Sequence, residues 1–179
     1  MNRTRLISAV GAALVAVLGV GMVVAAHDNQ RQFDESLTGY QEVPALSTPG
    51  LGRFNARISK DETEIQWELT FSALETDATQ SHIHFENATN NGPVMVFLCT
   101  NLGNGPAGTQ ACPPAGGTIS GTWHSGDVLA GAAGQGIAAG EFAELIAAMR
   151  AGATYVNVHS TGHPGGAIRA QLDDHGHDN

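Results

Sequence analysis

The chain is short of basic residues and of cysteine. It has 8 Lys plus Arg against 17 Asp plus Glu in 179 residues, which gives a formal net charge of −9 at pH 7. Because no basic stripe is present to neutralise phosphates, nucleic acid is excluded as a partner. The chain has 2 cysteines, and a pair of thiols cannot by itself build a zinc site.

The sequence also lacks the short motifs that carry hydrolytic or nucleotide chemistry. It contains no G-x-S-x-G nucleophile elbow, no P-loop and no H-E-x-x-H zinc helix. Its acidic residues are scattered, so no pair of carboxylates indicates a glycoside hydrolase. A functional assignment must therefore come from the remaining chemistry, above all from the 8 histidines.

One long apolar run lies at the N-terminus. Arg3 and Arg5 precede an apolar segment over residues 6–24, which closes with small residues up to Ala26. This order is typical of a secretory signal peptide, cleaved after Ala26 and followed by a linker over residues 27–32. The alternative is an uncleaved anchor, because the segment approaches the roughly 20 residues that cross a bilayer. Both interpretations predict a secreted, periplasmic or extracellular domain, with no membrane contact once the signal peptide is cleaved.

The two cysteines, Cys99 and Cys112, flank a segment rich in Gly, Pro and Asn. In an oxidising compartment such a pair favours a disulfide across one loop. Two free thiols are the alternative.

Alternation of apolar and polar residues dominates the rest of the chain. In residues 64–71 every second residue is apolar, which is the pattern of a half-buried antiparallel strand. Weaker or shorter strand patterns occur at residues 33–37, 54–58, 81–85, 94–98, 118–123, 155–159 and 168–172. Several short strands separated by turn residues predict an all-β fold over residues 33–172, an antiparallel β-sandwich or barrel.

One segment follows a helical period instead. Phe142, Leu145, Ile146 and Met149 are spaced i, i+3, i+4 and i+7. This spacing predicts one short amphipathic helix of about three turns that packs its apolar stripe on the sheet. Gly152 follows as the left-handed residue that closes it.

The last residues, 173–179, hold acids and two histidines and little that could be buried. We expect a disordered acidic tail there. His175 and His177 could bind metal weakly, although a solvated tail is the ordinary interpretation.

Three histidines lie in strands and on the same side of the predicted sheet. Ile83 takes the core face of its strand, so His82 and His84 take the opposite face, since side chains alternate along a strand. The same alternation places His159 outward on a second strand. We predict that these three imidazoles converge on one cation, with water or His163 from the following loop as a possible fourth ligand. The alternative is a polar face whose histidines bond each other or water.

The last two strands are predicted to form a hairpin. Pro164 marks the turn, and centring the register there sets His159 opposite Arg169, Asn157 opposite Gln171, and Val156 opposite Leu172. Arg169 would then lie beside the metal as an anion-facing charge. The affinity order of imidazole sites favours copper, with zinc as the other possibility.

Three blocks of the chain, in residues 37–58, 81–98 and 151–172, resemble the CHRD domain, named from chordin and widespread in secreted bacterial proteins. The resemblance runs in order from about Phe33 to Leu172. It implies an immunoglobulin-like or superoxide-dismutase-like antiparallel β-sandwich, for the most part without an assigned activity. The motifs that carry it are Gln41-Glu42-Val43-Pro44, His82-Ile83-His84, Asn91-Gly92-Pro93 and Tyr155-Val156-Asn157-Val158-His159.

A weaker similarity is to copper-zinc superoxide dismutase, which also carries a His-x-His strand, a later His and a nearby Arg on the outside of a β-barrel. His82, His84, His159 and Arg169 match these in type and order.

Three functions therefore stay open. The leading one is a secreted module that binds a divalent metal, copper before zinc, at an outer-face histidine cluster. The others are a copper-dependent enzyme of dismutase type, and a metal-free adhesion or structural domain that contacts an envelope or extracellular protein.

Overall fold

The structure, a computed structural model, describes residues 31–172. The predicted signal peptide, most of the predicted linker and the predicted tail over residues 173–179 lie outside the described residues. Inside residues 31–172, none of the helices combines the length and the apolar character needed to cross a bilayer.

The described residues form one antiparallel sheet of eight strands and one α-helix. The strands follow one another in the sheet in the order β5-β4-β7-β8-β1-β2-β3-β6. Their bounds are β1 Gln32–Thr38, β2 Leu51–Ile58, β3 Ile65–Ser72, β4 Ala78–Phe85, β5 Val94–Thr100, β6 Gly117–Trp123, β7 Thr154–Ser160 and β8 Ile168–Leu172, with the helix α1 at Phe142–Arg150. The prediction of an all-β fold with one short helix is confirmed.

The sheet curls into a nearly closed barrel whose two edge strands are β5 and β6. The indole Nε1 of Trp123 on β6 donates a hydrogen bond to the main-chain oxygen of Phe97 on β5, at 2.9 Å. The Trp123 ring also stacks on Phe54 and Trp67, with ring centroids 6.3 and 5.3 Å apart. A buried aromatic cluster therefore stabilises the place where the barrel closes.

The barrel interior follows the alternation of the sequence. On β3 the buried and exposed residues alternate without a break, with Ile65, Trp67, Leu69 and Phe71 turned inward. The apolar stripe of α1 is buried as predicted, and Gly152 closes that helix with a φ of +66°.

Strand β7 differs from β3, because all of its residues are buried on both faces of the sheet. Something must therefore cover the outer face of the barrel at β7.

The disulfide between Cys99 and Cys112 is formed, which confirms the predicted pairing. Cys99 is the penultimate residue of strand β5, and Cys112 lies in the loop that leads to β6. The side chain of Asn101 holds this loop by donating to the main-chain oxygens of Ala78 and Cys112, at 2.9 and 3.0 Å. The bridge therefore closes a loop that is already tied to the barrel.

Removal of this disulfide should lower the free energy of unfolding by about 3 kcal/mol, because the unfolded chain regains the freedom of one short loop. The double variant Cys99→Ala/Cys112→Ala tests this by urea unfolding. A reducing agent should lower the stability of the wild type by a similar amount and leave the variant unchanged. If the reducing agent leaves the stability of the wild type unchanged although its thiols are shown to be free, the prediction is contradicted.

The hairpin register of β7 and β8 differs from the predicted one by two residues. Asn157, not His159, lies opposite Arg169, and Val156 lies opposite Ala170. The reason is the turn, because the main chains of Ser160 and His163 bond each other at 3.2 Å in both directions. The hairpin therefore turns before Pro164, and a second turn follows it. A shift of two keeps every side chain on its predicted face.

Candidate metal centre

The structure brings His82, His84 and His159 together. Strand β4 supplies the first two and its neighbour β7 the third, because the pairing sets His82 beside Asn157 and His84 beside Tyr155. One ring nitrogen from each histidine lies within 4.8 Å of the other two. The three rings therefore form one cluster on the outer face of the sheet, opposite the apolar barrel interior.

Two of the three imidazoles are held in a single tautomer by the main chain. The Nδ1 atom of His84 lies 2.9 Å from the main-chain oxygen of Gly92, and Nδ1 of His159 lies 2.9 Å from that of Pro164. Because a carbonyl oxygen can only accept, each Nδ1 carries the proton and each Nε2 keeps a free lone pair. Metal-bound histidines are oriented in the same way by a carbonyl or carboxylate behind the ring.

Four ring nitrogens of the cluster have no partner among the described residues. They are Nε2 of His84, Nε2 of His159 and both nitrogens of His82, and all are buried. The ring of His82 instead meets the ring of Phe97 edge to face, with centroids 4.4 Å apart. Buried polar atoms are nearly always bonded in proteins, so these four unpaired ring nitrogens require an explanation.

All three imidazoles are neutral at physiological pH. Burial lowers the pKa of His82 to about 2, and repulsion from His159 and His84 adds to this effect. Burial also lowers the pKa of His84 to about 4, against the hydrogen bond to Gly92, which raises it. The pKa of His159 is lowered in the same direction, again by burial. Neutral imidazole is the form that binds metal.

The cluster is not on an open surface, which corrects the expectation of a solvent-facing site. His82, His84 and His159 are only 2%, 7% and 6% exposed. Loop residues lie against the rings, since Gly92 bonds His84 and Pro164, from the loop between β7 and β8, bonds His159. Two more distant parts of the chain also reach this face: residues 39–50 between β1 and β2, through Glu42, and residues 86–93 between β4 and β5, through Gly92. We call these two segments the covering loops. The loops bond each other, since Asn91 Nδ2 donates to the main-chain oxygen of Val43 at 2.9 Å. Strand alternation predicts the face of a residue but not what folds over it.

Arg169 does not face an open anion site, which corrects a second expectation. The residue is 1% exposed, and its guanidinium carbon lies 3.4 Å from the centre of the Tyr155 ring. Its NH1 and NH2 groups donate to the main-chain oxygens of Asn90 and Asn87, both at 3.0 Å. The guanidinium therefore holds the second covering loop against the sheet.

His163, the predicted fourth ligand, lies apart from the three clustered histidines. Its Nε2 atom is 3.4 Å from a carboxylate oxygen of Glu75, and it is absent from the group of converging ring nitrogens. Within residues 31–172 the cluster therefore offers three ligands.

Two residues beside the cluster were missed by the sequence analysis as parts of the site. Glu42 from the first covering loop is buried, and Asn157 Nδ2 donates to its Oε1 at 2.8 Å. Burial raises the pKa of Glu42 to about 7, although Asn157 and Arg169 act in the opposite direction. Both residues belong to the motifs that carry the CHRD resemblance, and that was the one available signal.

Tyr155 was likewise missed. Its ring stacks on His84 with 3° between the planes and 4.7 Å between the centroids. Its hydroxyl accepts a hydrogen bond from the main-chain nitrogen of Gly92 at 3.0 Å. Since Gly92 also bonds His84, one glycine fixes two neighbouring rings. The second covering loop therefore orients the cluster as well as burying it.

Comparison with known proteins supports the resemblance seen in the motifs. The family model of the CHRD domain matches residues 33–172. No curated protein and no solved structure matches the chain. The matched range includes the three clustered histidines, both covering loops and the disulfide. Because it spans well over half of the sequence, the chain belongs to the CHRD domain family.

Proposed function

We propose that this domain binds a transition-metal ion, copper before zinc, through His82, His84 and His159. One observation carries the proposal: ring nitrogens of the three histidines converge, buried and without hydrogen-bond partners among the described residues. The Nδ1 atoms of His84 and His159 are meanwhile bonded to main-chain oxygens behind the rings. The Nε2 lone pairs of His84 and His159 are therefore left free for a ligand shared with His82.

A cation and a water molecule make different demands on His82, because no hydrogen bond within the described residues fixes its tautomer. Each Nε2 of His84 and His159 can only accept a hydrogen bond, because its ring proton is on Nδ1. A water could donate to both and accept from the N–H of His82, whereas a cation takes a lone pair from each of the three rings. The metal content of the purified protein therefore distinguishes the two.

The donor chemistry favours copper. Imidazole suits copper, zinc, iron and nickel, and the intrinsic affinity of nitrogen sites for divalent ions is highest for copper. Zinc prefers four ligands in a tetrahedron, and the cluster supplies three within the described residues. The disulfide fits an oxidising compartment. Together with the apolar segment at residues 6–24, it supports a secreted or periplasmic location.

We place binding, storage or delivery of the ion ahead of catalysis. A dismutase-type enzyme would need an open coordination position and a cation free to attract a small anion. The clustered ring nitrogens are buried, and Arg169 is engaged with the main chain of residues 87 and 90. No specific observation favours the metal-free adhesion domain.

Metal analysis of the purified protein tests the proposal. After loading with Cu(II), or anaerobically with Cu(I), and a wash with chelator, the wild type should retain about one ion per chain in at least one of the two oxidation states, while His84→Ala and His159→Ala should retain almost none. The control is His124→Ala, whose side chain is 59% exposed next to Glu64 and Asp127. This variant should match the wild type. A wild type without metal, or histidine variants that fold and still retain it, would refute the proposal.

A further inference from the structure

The ligands of the metal centre carry no charge. They are three neutral imidazoles, and among the described residues no carboxylate joins the cluster. Both cysteines are bound in the disulfide, so no thiolate is available either. An ion bound there keeps its full charge, whereas an anionic ligand would cancel part of it.

The surroundings of the cluster do not compensate for that charge. Strand β7 lies between β4 and β8, so the Tyr155 ring separates His84 from the guanidinium of Arg169. A permanent positive charge is therefore one aromatic ring away from a ligand. Glu42 bonds Asn157 rather than a histidine, and burial raises the pKa of this carboxyl to about 7, which reduces its average negative charge near neutral pH.

The charge of the bound ion then decides its cost of burial. In the Born picture, the free energy of moving an ion from water into a low-dielectric interior grows with the square of its charge. A monovalent ion therefore costs about a quarter of what a divalent ion of the same size costs. Because the ligands are buried and uncharged and an arginine lies nearby, this difference favours binding of a monovalent ion over a divalent one.

The number of ligands leads to the same conclusion. Three ring nitrogens are available, and the predicted fourth ligand, His163, faces Glu75. Zinc prefers a fourth ligand, and Cu(II) prefers tetragonal nitrogen and oxygen sites. Cu(I) has a filled d shell and no such geometric demand, so three nitrogens can satisfy it. We infer that the site is selective for Cu(I) over Cu(II) and Zn(II), an inference that rests on the proposed function of the same three histidines.

Competition for the metal alone tests this selectivity. Under anaerobic conditions the protein is titrated against Cu(I) complexed by bicinchoninate, and in parallel against Cu(II) and Zn(II) with chelators suited to each. The dissociation constant for Cu(I) should be at least about 100-fold lower than for the other two ions, a difference of about 2.7 kcal/mol. Equal or tighter binding of Cu(II) or Zn(II) at the three histidines overturns the inference and leaves the metal site standing. Absence of binding by all three ions refutes the proposed function itself.

A charge-swapped variant tests the physical cause. In Glu42→Gln/Asn157→Asp the hydrogen bond between the two side chains is kept with its direction reversed, and a carboxylate is placed beside His82, which pairs with position 157. This anion should strengthen binding of divalent ions more than of Cu(I), and so reduce the preference for Cu(I) at least about tenfold.

The matched control is Asn55→Asp on β2, a strand that is not a sheet neighbour of β4 or β7. It places a carboxylate away from the cluster and should leave the preference unchanged. An unaltered preference in the charge-swapped variant, with its fold and its histidine-dependent binding intact, would show that the charge of the site does not select the ion.

Discussion

Replacement of Arg169 by methionine should lower the free energy of unfolding by about 3–5 kcal/mol. The guanidinium is buried and donates to the main-chain oxygens of Asn87 and Asn90. Methionine fills a similar volume but cannot donate, so two hydrogen bonds from a buried charged group are lost, at a cost of about 1.5–3 kcal/mol each. It also removes the cation from the face of the Tyr155 ring.

Urea unfolding of the metal-free protein measures this effect. The free energy of unfolding of Arg169→Lys should lie between those of the wild type and Arg169→Met. Lysine keeps the positive charge, but its ammonium group lacks the planar guanidinium that donates to both oxygens. Arg57→Met on the exposed face of β2 is the surface control and should change stability by less than about 0.5 kcal/mol. A loss below about 1 kcal/mol in Arg169→Met would mean that the covering loop is held by other contacts.

The metal-free protein should also lose stability as the pH falls below 6.5. His82 and His84 have folded-state pKa values of about 2 and about 4, against 6.5 when unfolded. Below pH 6.5 these histidines are therefore protonated in the unfolded chain but stay neutral in the folded chain. Each of them lowers the free energy of unfolding by up to about 1.4 kcal/mol per pH unit. His159 is shifted in the same direction and adds to this effect.

Glu42 opposes this trend. Its pKa is raised from 4.5 to about 7 on folding, so its destabilising effect grows as the pH rises from 4.5 to 7 and is relieved by acid. We therefore expect a net loss of about 2 kcal/mol or more between pH 6.5 and pH 5. Because the Glu42→Gln variant lacks this opposing carboxyl, its free energy of unfolding should decrease more steeply than that of the wild type over the same pH range.

Urea unfolding at a series of pH values, with chelator present, checks both expectations. His124→Gln, which alters an exposed histidine, is the control and should follow the wild-type profile. A wild-type stability that stays constant from pH 6.5 to pH 5 would show that the three rings are already hydrated in the folded state.

Much of the fold was predictable because it rests on local patterns. Alternation along the strands identified the inward face, since Ile83 and Val158 join the apolar core while His82 and His159 point the other way. The spacing of Phe142 and Met149 identified the single helix in the same manner. These features depend on neighbours within one strand or helix, whose geometry the backbone period dictates.

Local sequence patterns were therefore enough to predict the strands, the helix, the disulfide pair and the face that carries the histidines. Three features came from tertiary packing alone: this face is covered, Arg169 bonds the main chain of a covering loop, and Glu42 lies beside Asn157. The physical reason is distance along the chain. Burial, charge pairing and hairpin register depend on loops from elsewhere in the sequence and on the turn they adopt, and no local period encodes how those loops pack.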